Sequence, residues 1–214
     1  AAGERVVLRH FEVLDAEGNV YLANLRTAKQ CIDYTLRGEG EECYHPHFTF
    51  QGFRYVLIER WPGTPTRDDF VAVVLHSAMT PTGHIETSNA DLNQLHHNIM
   101  WGLKGNFVDI PTDCPQRDER LGWTGDAQIF CRTASYLMQT RTFFAKWLTD
   151  LQHDQTPEGG VPHVIPDILT GKCDNDRFLS HGRTHSAAAW ADAAVINPWT
   201  LYLMYGDKQT LARQ

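Results

Sequence analysis

The chain has 214 residues, a formal charge of −7, 42% hydrophobic and 21% charged residues. That mixture excludes a disordered, collagen-like or coiled-coil chain, and the length buries a core without disulfide or metal staples. The negative balance provides no basic field for nucleic acid or an anionic membrane, and no apolar run approaches the roughly 18 residues of a membrane span.

Residues 1–80 carry strand signals. Val6-Val7-Leu8 leads to Phe11-Glu-Val-Leu14, and Asp15-Ala-Glu-Gly18 reads as a hairpin turn before Val20-Tyr-Leu22. Phe48, Phe50, Phe53, Tyr55 and Leu57 approximate a period of two, with Gly52 marking a bulge. Phe70–Leu75 is a further β-branched run, set off from the preceding strand by Pro62-Gly-Thr-Pro65. Several short strands with turns between them predict a β-sandwich segment.

The period changes near residue 88. Ser88-Asn89 caps a helix with Leu92, Leu95, Ile99 and Leu103 as its apolar stripe. A loop containing Pro111 and Pro115 follows. A second helix over 126–139, opened by Asp126, carries Ile129, Ala134, Leu137 and Met138. A third over Thr142–Gln152 carries Phe143, Phe144, Trp147, Leu148 and Leu151. Ala187–Tyr205 is Ala-rich and helical, interrupted at Pro198 and stopped at Gly206, and a new helix begins near the last residues. The loop at 156–186 is long enough to be functional or disordered. The fold class is therefore α+β and multidomain, β first and α afterwards, with a boundary between segments 1–84 and 85–214.

Five cysteines form no CxxC pair. Cys43-Tyr-His45-Pro-His47 is ligand-rich, but the other half of a zinc set has no recognisable spacing, and no EF-type loop offers calcium. The thiols read as reduced and structural, which slightly favours the cytoplasm, with a periplasmic or secreted location left open because the N-terminus reads as truncated; neither metal nor cofactor is assigned.

The densest polar cluster runs from Asp109 to Asp126 and interleaves five carboxylates and two arginines with Trp123, Pro and Gly. A solvated charged loop is the plain reading. The Trp, the two Gly and the Cys packed into it, between helices, favour a catalytic loop instead. Carboxylates accept hydrogen bonds from sugar hydroxyls, arginine donates, and tryptophan faces the C–H side of a pyranose. A glutamate whose charge is disfavoured keeps its proton and serves as general acid, and glycoside hydrolysis needs a second carboxyl.

The run Asn106-Phe-Val-Asp-Ile-Pro-Thr-Asp-Cys-Pro-Gln-Arg-Asp-Glu-Arg-Leu-Gly-Trp-Thr-Gly-Asp126 closely resembles the signature of bacterial α-L-rhamnosidases, glycoside hydrolase family 78. Supporting resemblances flank it at Pro46–Tyr55, Phe143–Asp150, Gly159–Pro162 and Ala188–Trp199, so the likeness covers essentially the whole chain. It implies a β-sandwich segment followed by the first helices of an (α/α)6 barrel. It also implies inverting hydrolysis of terminal non-reducing α-L-rhamnose, with Glu119 as general acid and Asp113, Arg117, Trp123 and Asp126 holding the sugar. Trp190 matches either a pocket aromatic or a core residue of the Ala-rich helix. Asp118 tunes the charge around the acid, and Asp192 is a pocket residue or a capping partner. At Ala191, where many relatives carry Gly, the pattern departs without touching the chemistry.

The family's general base is a second glutamate late in the barrel. After Glu119 only Glu158 remains, in a Pro-Glu-Gly-Gly turn, so the base is expected outside this chain. Twelve helices of about 11–12 residues with connections of about 5 need roughly 200 residues, more than the stretch from 89 onward supplies. The chain is accordingly expected to be a fragment that is inactive alone. Its partners would be a rhamnose-containing glycoside or polysaccharide and the rest of the parent polypeptide. The rival readings are a non-catalytic sugar-binding module and an (α/α)6 glycosidase acting on another sugar.

Overall fold

Arg5–Phe11 interleaves β-branched and apolar residues with arginines, and in the computed structural model it forms β1, which buries Val7, His10 and Phe11. The structure describes residues 1–170 and 185–214, so Cys173 and the middle of the 156–186 loop lie outside the described residues. The chain divides into two compact units. One comprises Ala1–Leu75 with Cys114–Arg120, the other His76–Asp113 with Leu121–Gln214.

In the first unit β1 is the centre of a three-stranded antiparallel sheet between β4 (Cys31–Thr35) and β5 (Tyr55–Arg60). β2 (Val13–Leu14) and β3 (Val20–Tyr21) form the predicted hairpin. Its turn is tied by the Asp15 carboxylate, which accepts from the amides of Glu17 at 3.0 Å and Asn19 at 2.7 Å, an Asx-type closure. Three expectations fail here. The alternating segment is a strand only from Tyr55 on. Gly52 is not the bulge: a Cβ there would lie 2.8 Å from Pro115, so the residue permits a close backbone approach. The register irregularity sits instead between Val7 and Leu8 opposite β5. Phe70–Leu75 forms no strand, and Val71, Val73, Val74 and Leu75 are exposed. β-propensity without a neighbouring strand to bond does not make a ladder.

The second unit is helical: α1 (Ala90–Asn106), α2 (Thr124–Leu137), α3 (Arg141–Asp154), α4 (Ala193–Tyr205) and α5 (Lys208–Arg213). Asn89 caps α1, its Oδ1 accepting from the amides of Asp91 and Leu92. α3 buries Phe143, Phe144, Trp147, Leu148 and Leu151, as its period predicts. These side chains pack with Leu103, Phe107, Cys131, Met138 and Leu201 into one core. Along α1, by contrast, only Leu103 is buried, while Leu92 and Leu95 are exposed, and on α2 Ile129 is exposed. Helical spacing names a face, but burial requires a partner across from it. α2 begins at Thr124, two residues before Asp126. α4 is shorter than the Ala-rich region, starting at Ala193, and Pro198 lies buried inside an unbroken helix rather than interrupting it. Gly206 ends α4 in the left-handed conformation, φ 65°, where a Cβ is disfavoured. No described helix is long and apolar enough to cross a membrane.

Between α1 and α2 the expected loop contains a tight hairpin of β6 (Phe107–Val108) and β7 (Ile110–Pro111), with Asp109 at φ 66° in its turn. Cys131 is fully buried and its thiol is pushed up to about 12 by burial. Cys43 is exposed, and the His45 and His47 rings lie 5.0 Å apart.

Candidate active site

Each unit carries part of the acidic motif. In the helical unit, α1, the β6–β7 hairpin and the start of α2 surround a cavity of about 570 Å³. Asp113, Asp126 and Trp190 all line it, with Asn106, Thr112 and Gln128 adding polar groups and Ile99, Phe107 and Phe130 apolar ones. The segment that carries Asp113 closes on itself. The Asp113 amide donates to the Leu121 carbonyl at 3.1 Å, and Asp113 Oδ1 accepts from the Leu121 amide at 3.0 Å. One carboxylate oxygen is thus committed to backbone.

The other end of the motif is held by the segment 163–165. The Thr124 amide donates to the His163 carbonyl and the Ile165 amide to the Gly122 carbonyl, each at 2.9 Å. Trp147 Nε1 donates to the Ile165 carbonyl at 3.2 Å, anchoring this segment to the core. Trp123 precedes α2 in an extended conformation and is half-buried, and it does not line the cavity. Asp126 sits in the first turn of α2, where the helix dipole favours a carboxylate.

Trp190 is not a core residue of a helix. It stands 37% exposed in the turns before α4, and the carbonyl of neighbouring Ala189, itself at φ 70°, accepts from Gln128 Nε2. Gly125 faces the indole with no side chain between. Asp192 caps the same turn, its carboxylate accepting from the Ala189 amide at 3.0 Å.

In the sheet-containing unit, Glu119 is held between two guanidiniums, not in the charge-disfavouring surroundings expected of a general acid. Arg117 Nε donates to Glu119 Oε2 at 2.7 Å, and Arg26 Nη1 lies 3.0 Å from Oε1. Arg26 also approaches Asp118 Oδ1 at 3.6 Å. Asp118 accepts from the Thr27 hydroxyl at 2.7 Å and the Thr27 amide at 3.3 Å. Burial pushes the Asp118 carboxyl up, but the two Thr27 hydrogen bonds and Arg26 together hold it below the ordinary carboxylate range. On Arg117, Glu12 is the further acidic neighbour; burial raises its carboxyl, with Arg117 and Arg54 opposing. Gln30 Nε2 donates to the Gln116 carbonyl, pinning the segment again. Arg26, Thr27 and Glu12 escape sequence reasoning, because nothing in Leu-Arg-Thr-Ala marks a turn as the partner of a motif 91 residues away. Glu158 is exposed in the turn closed by the Gly159 amide on the Thr156 carbonyl at 2.8 Å.

Comparisons with known proteins agree on one family. Residues 80–214 match the model of the bacterial alpha-L-rhamnosidase six-hairpin glycosidase domain, and residues 1–76 that of the bacterial alpha-L-rhamnosidase concanavalin-like domain. An alpha-L-rhamnosidase of Streptomyces avermitilis is 47% identical over 211 residues, 99% of this chain and 19% of the relative. One of Formosa agariphila is 40% identical over 207 residues, 96% of this chain and 21% of the relative. Among solved structures, the Streptomyces avermitilis alpha-L-rhamnosidase complexed with L-rhamnose superposes with a TM-score of 0.88 at 46% identity, covering 100% of this chain and 20% of that one. The enzyme from Dictyoglumus thermophilum gives 0.87 at 37% identity, over 100% and 23%. The chain thus spans about a fifth of the length of these relatives. The expected order, a sheet domain followed by the first helices of a six-hairpin barrel, is the observed one.

Proposed function

Because the chain belongs to the bacterial alpha-L-rhamnosidase six-hairpin glycosidase family, we propose that it is part of an inverting glycoside hydrolase that releases terminal non-reducing α-L-rhamnose. The observation that carries this reading is the cavity on which Asp113, Asp126 and Trp190 converge. Two carboxylates there accept hydrogen bonds from ring hydroxyls, and the indole offers an apolar wall to the C–H face of a pyranose. The family resemblance adds Trp123 and Arg117 to the sugar-holding set, although neither lines this cavity; Arg117 binds Glu119 directly. Rhamnose is the sugar bound in the Streptomyces avermitilis relative, which supports it as the ligand of this site.

The chemistry is a single displacement. Glu119 donates its proton to the glycosidic oxygen as that bond breaks through an oxocarbenium-like transition state. A second carboxylate, outside this chain, removes a proton from the water that attacks the anomeric carbon from the opposite face. The substrate is a rhamnose-containing glycoside or polysaccharide, and the rest of the parent polypeptide supplies the base. By itself the 214-residue chain is expected to turn over no rhamnoside.

The experiment is leaving-group kinetics on the full-length enzyme. Glu119→Gln should cut hydrolysis of methyl α-L-rhamnoside by about 10²–10⁴-fold and spare a dinitrophenyl rhamnoside, whose leaving group needs no proton. Near-normal turnover of the methyl glycoside would remove Glu119 from the acid role. Observation of the first-formed anomer by NMR tests inversion.

A further inference from the structure

Arg26 is conspicuous on backbone grounds before its contacts are considered. It closes a single 3-10 turn, Ala23–Leu25, and adopts φ 55°, ψ −114°. A residue with a Cβ is held in such a region only where its surroundings over-determine it, and strain of this kind gathers at functional sites. Leu25 beside it is 1% exposed and anchors the turn in the core of the sheet-containing unit. The Arg26 amide donates back to the Ala23 carbonyl at 3.2 Å. With the turn fixed at both points, the next two side chains, Arg26 and Thr27, both reach the acid-bearing segment.

We propose that Arg26 and Thr27 are positioning residues for Glu119: Arg26 by its ion pair with the Glu119 carboxylate, Thr27 by two hydrogen bonds that fix the adjoining Asp118. The inference rests on Glu119 being the general acid. Arg117, two residues before Glu119, shares the same carboxylate from within the loop, while Arg26 reaches it from a distant turn. Contacts within a short loop cannot orient a carboxyl against the rest of the fold; a contact from a turn anchored by a buried leucine can. The Arg26–Glu119 pair is also partly shielded, with Glu119 18% exposed, so it is screened less than a surface pair. The turn that carries Arg26 and Thr27 thereby contributes to proton transfer.

A general acid displaced by a fraction of an ångström loses most where the leaving group needs a proton. The test compares kcat/KM for methyl α-L-rhamnoside and dinitrophenyl α-L-rhamnoside in the full-length enzyme and its Arg26→Ala, Arg26→Lys and Thr27→Val variants, with Glu119→Gln alongside. Arg26→Ala is expected to lose about tenfold or more on the methyl glycoside, mainly in kcat, and less than about threefold on the dinitrophenyl one. Arg26→Lys should recover part of the loss, because it restores the charge without the fork. Thr27→Val should show the same selectivity on a smaller scale, and it carries the test by itself if Arg26→Ala does not fold. Equal losses on both substrates, or an unchanged ratio, would overturn the positioning role. If Glu119→Gln is selective while the Arg26 and Thr27 variants are not, the inference alone fails. If Glu119→Gln is not selective, the reading of Glu119 as the acid fails.

Discussion

Gly125 and the indole of Trp190 are in such close contact that a Cβ on the glycine would lie 2.9 Å from Cε2 and 3.0 Å from Nε1. Gly125 is fixed in the first turn of α2, so any added atom displaces the indole and not the helix. The pair sets how far the aromatic wall stands from Asp126 and Asp113 on the same cavity.

Gly125→Ala tests this spacing. Alanine gains up to about 0.5–1 kcal/mol of helix propensity against about 1–3 kcal/mol of overpacking on the indole, so the thermal transition should hold or fall. KM of the full-length enzyme for an aryl rhamnoside should increase about three- to tenfold, with kcat affected less. An unchanged KM would take Trp190 out of the sugar wall.

Trp147 is the link between the core and the end of the motif, being fully buried and donating to the Ile165 carbonyl. Trp147→Phe leaves that carbonyl unsatisfied and opens a small cavity. About 2–3 kcal/mol should be lost, read from urea unfolding, and amide exchange should rise at Thr124 and Ile165.

Asp207 caps α5 by accepting from the Thr210 amide at 2.9 Å, and its Oδ2 accepts from the Thr210 hydroxyl, also at 2.9 Å. These bonds hold its carboxyl below the ordinary value, the amide foremost. A depressed carboxyl contributes stability that is complete above the unfolded-state value of about 3.9 and is lost as pH falls through the folded one. Asp207→Ala should cost about 1 kcal/mol at neutral pH. The gap to wild type should shrink below about pH 4, as followed by thermal melts across the acid range. A gap that stays constant down to pH 2 would exclude the charged cap.

The thiols should divide by burial. With its thiol pushed up to about 12, Cys131 holds a thiolate fraction near pH 7 of roughly 10⁻⁵. Cys43 is exposed. Iodoacetamide at neutral pH should label Cys43 within minutes and leave Cys131 untouched until denaturant is added, as peptide mass spectrometry would report.

Local rules account for much of this chain. The stripe on α3, the Asn89 cap, the Asp15 hairpin turn and the stop at Gly206 each follow from a period or a residue type acting within a few positions. The motif from Asn106 to Asp126 stands out for the same reason, since its carboxylates, arginines and Trp123 lie in consecutive residues. Distance along the chain is where legibility ends. Leu92, Leu95 and Ile129 have the spacing of a buried face and are exposed, and Phe70–Leu75 has strand composition without a ladder. Burial and strand pairing depend on a second element that no local period specifies. Arg26 and Thr27 are the sharpest case: Thr27 holds Asp118 across 91 residues, and Arg26 reaches Glu119 from the same turn. Such a contact exists only after a buried leucine and a strained turn have brought the two segments together.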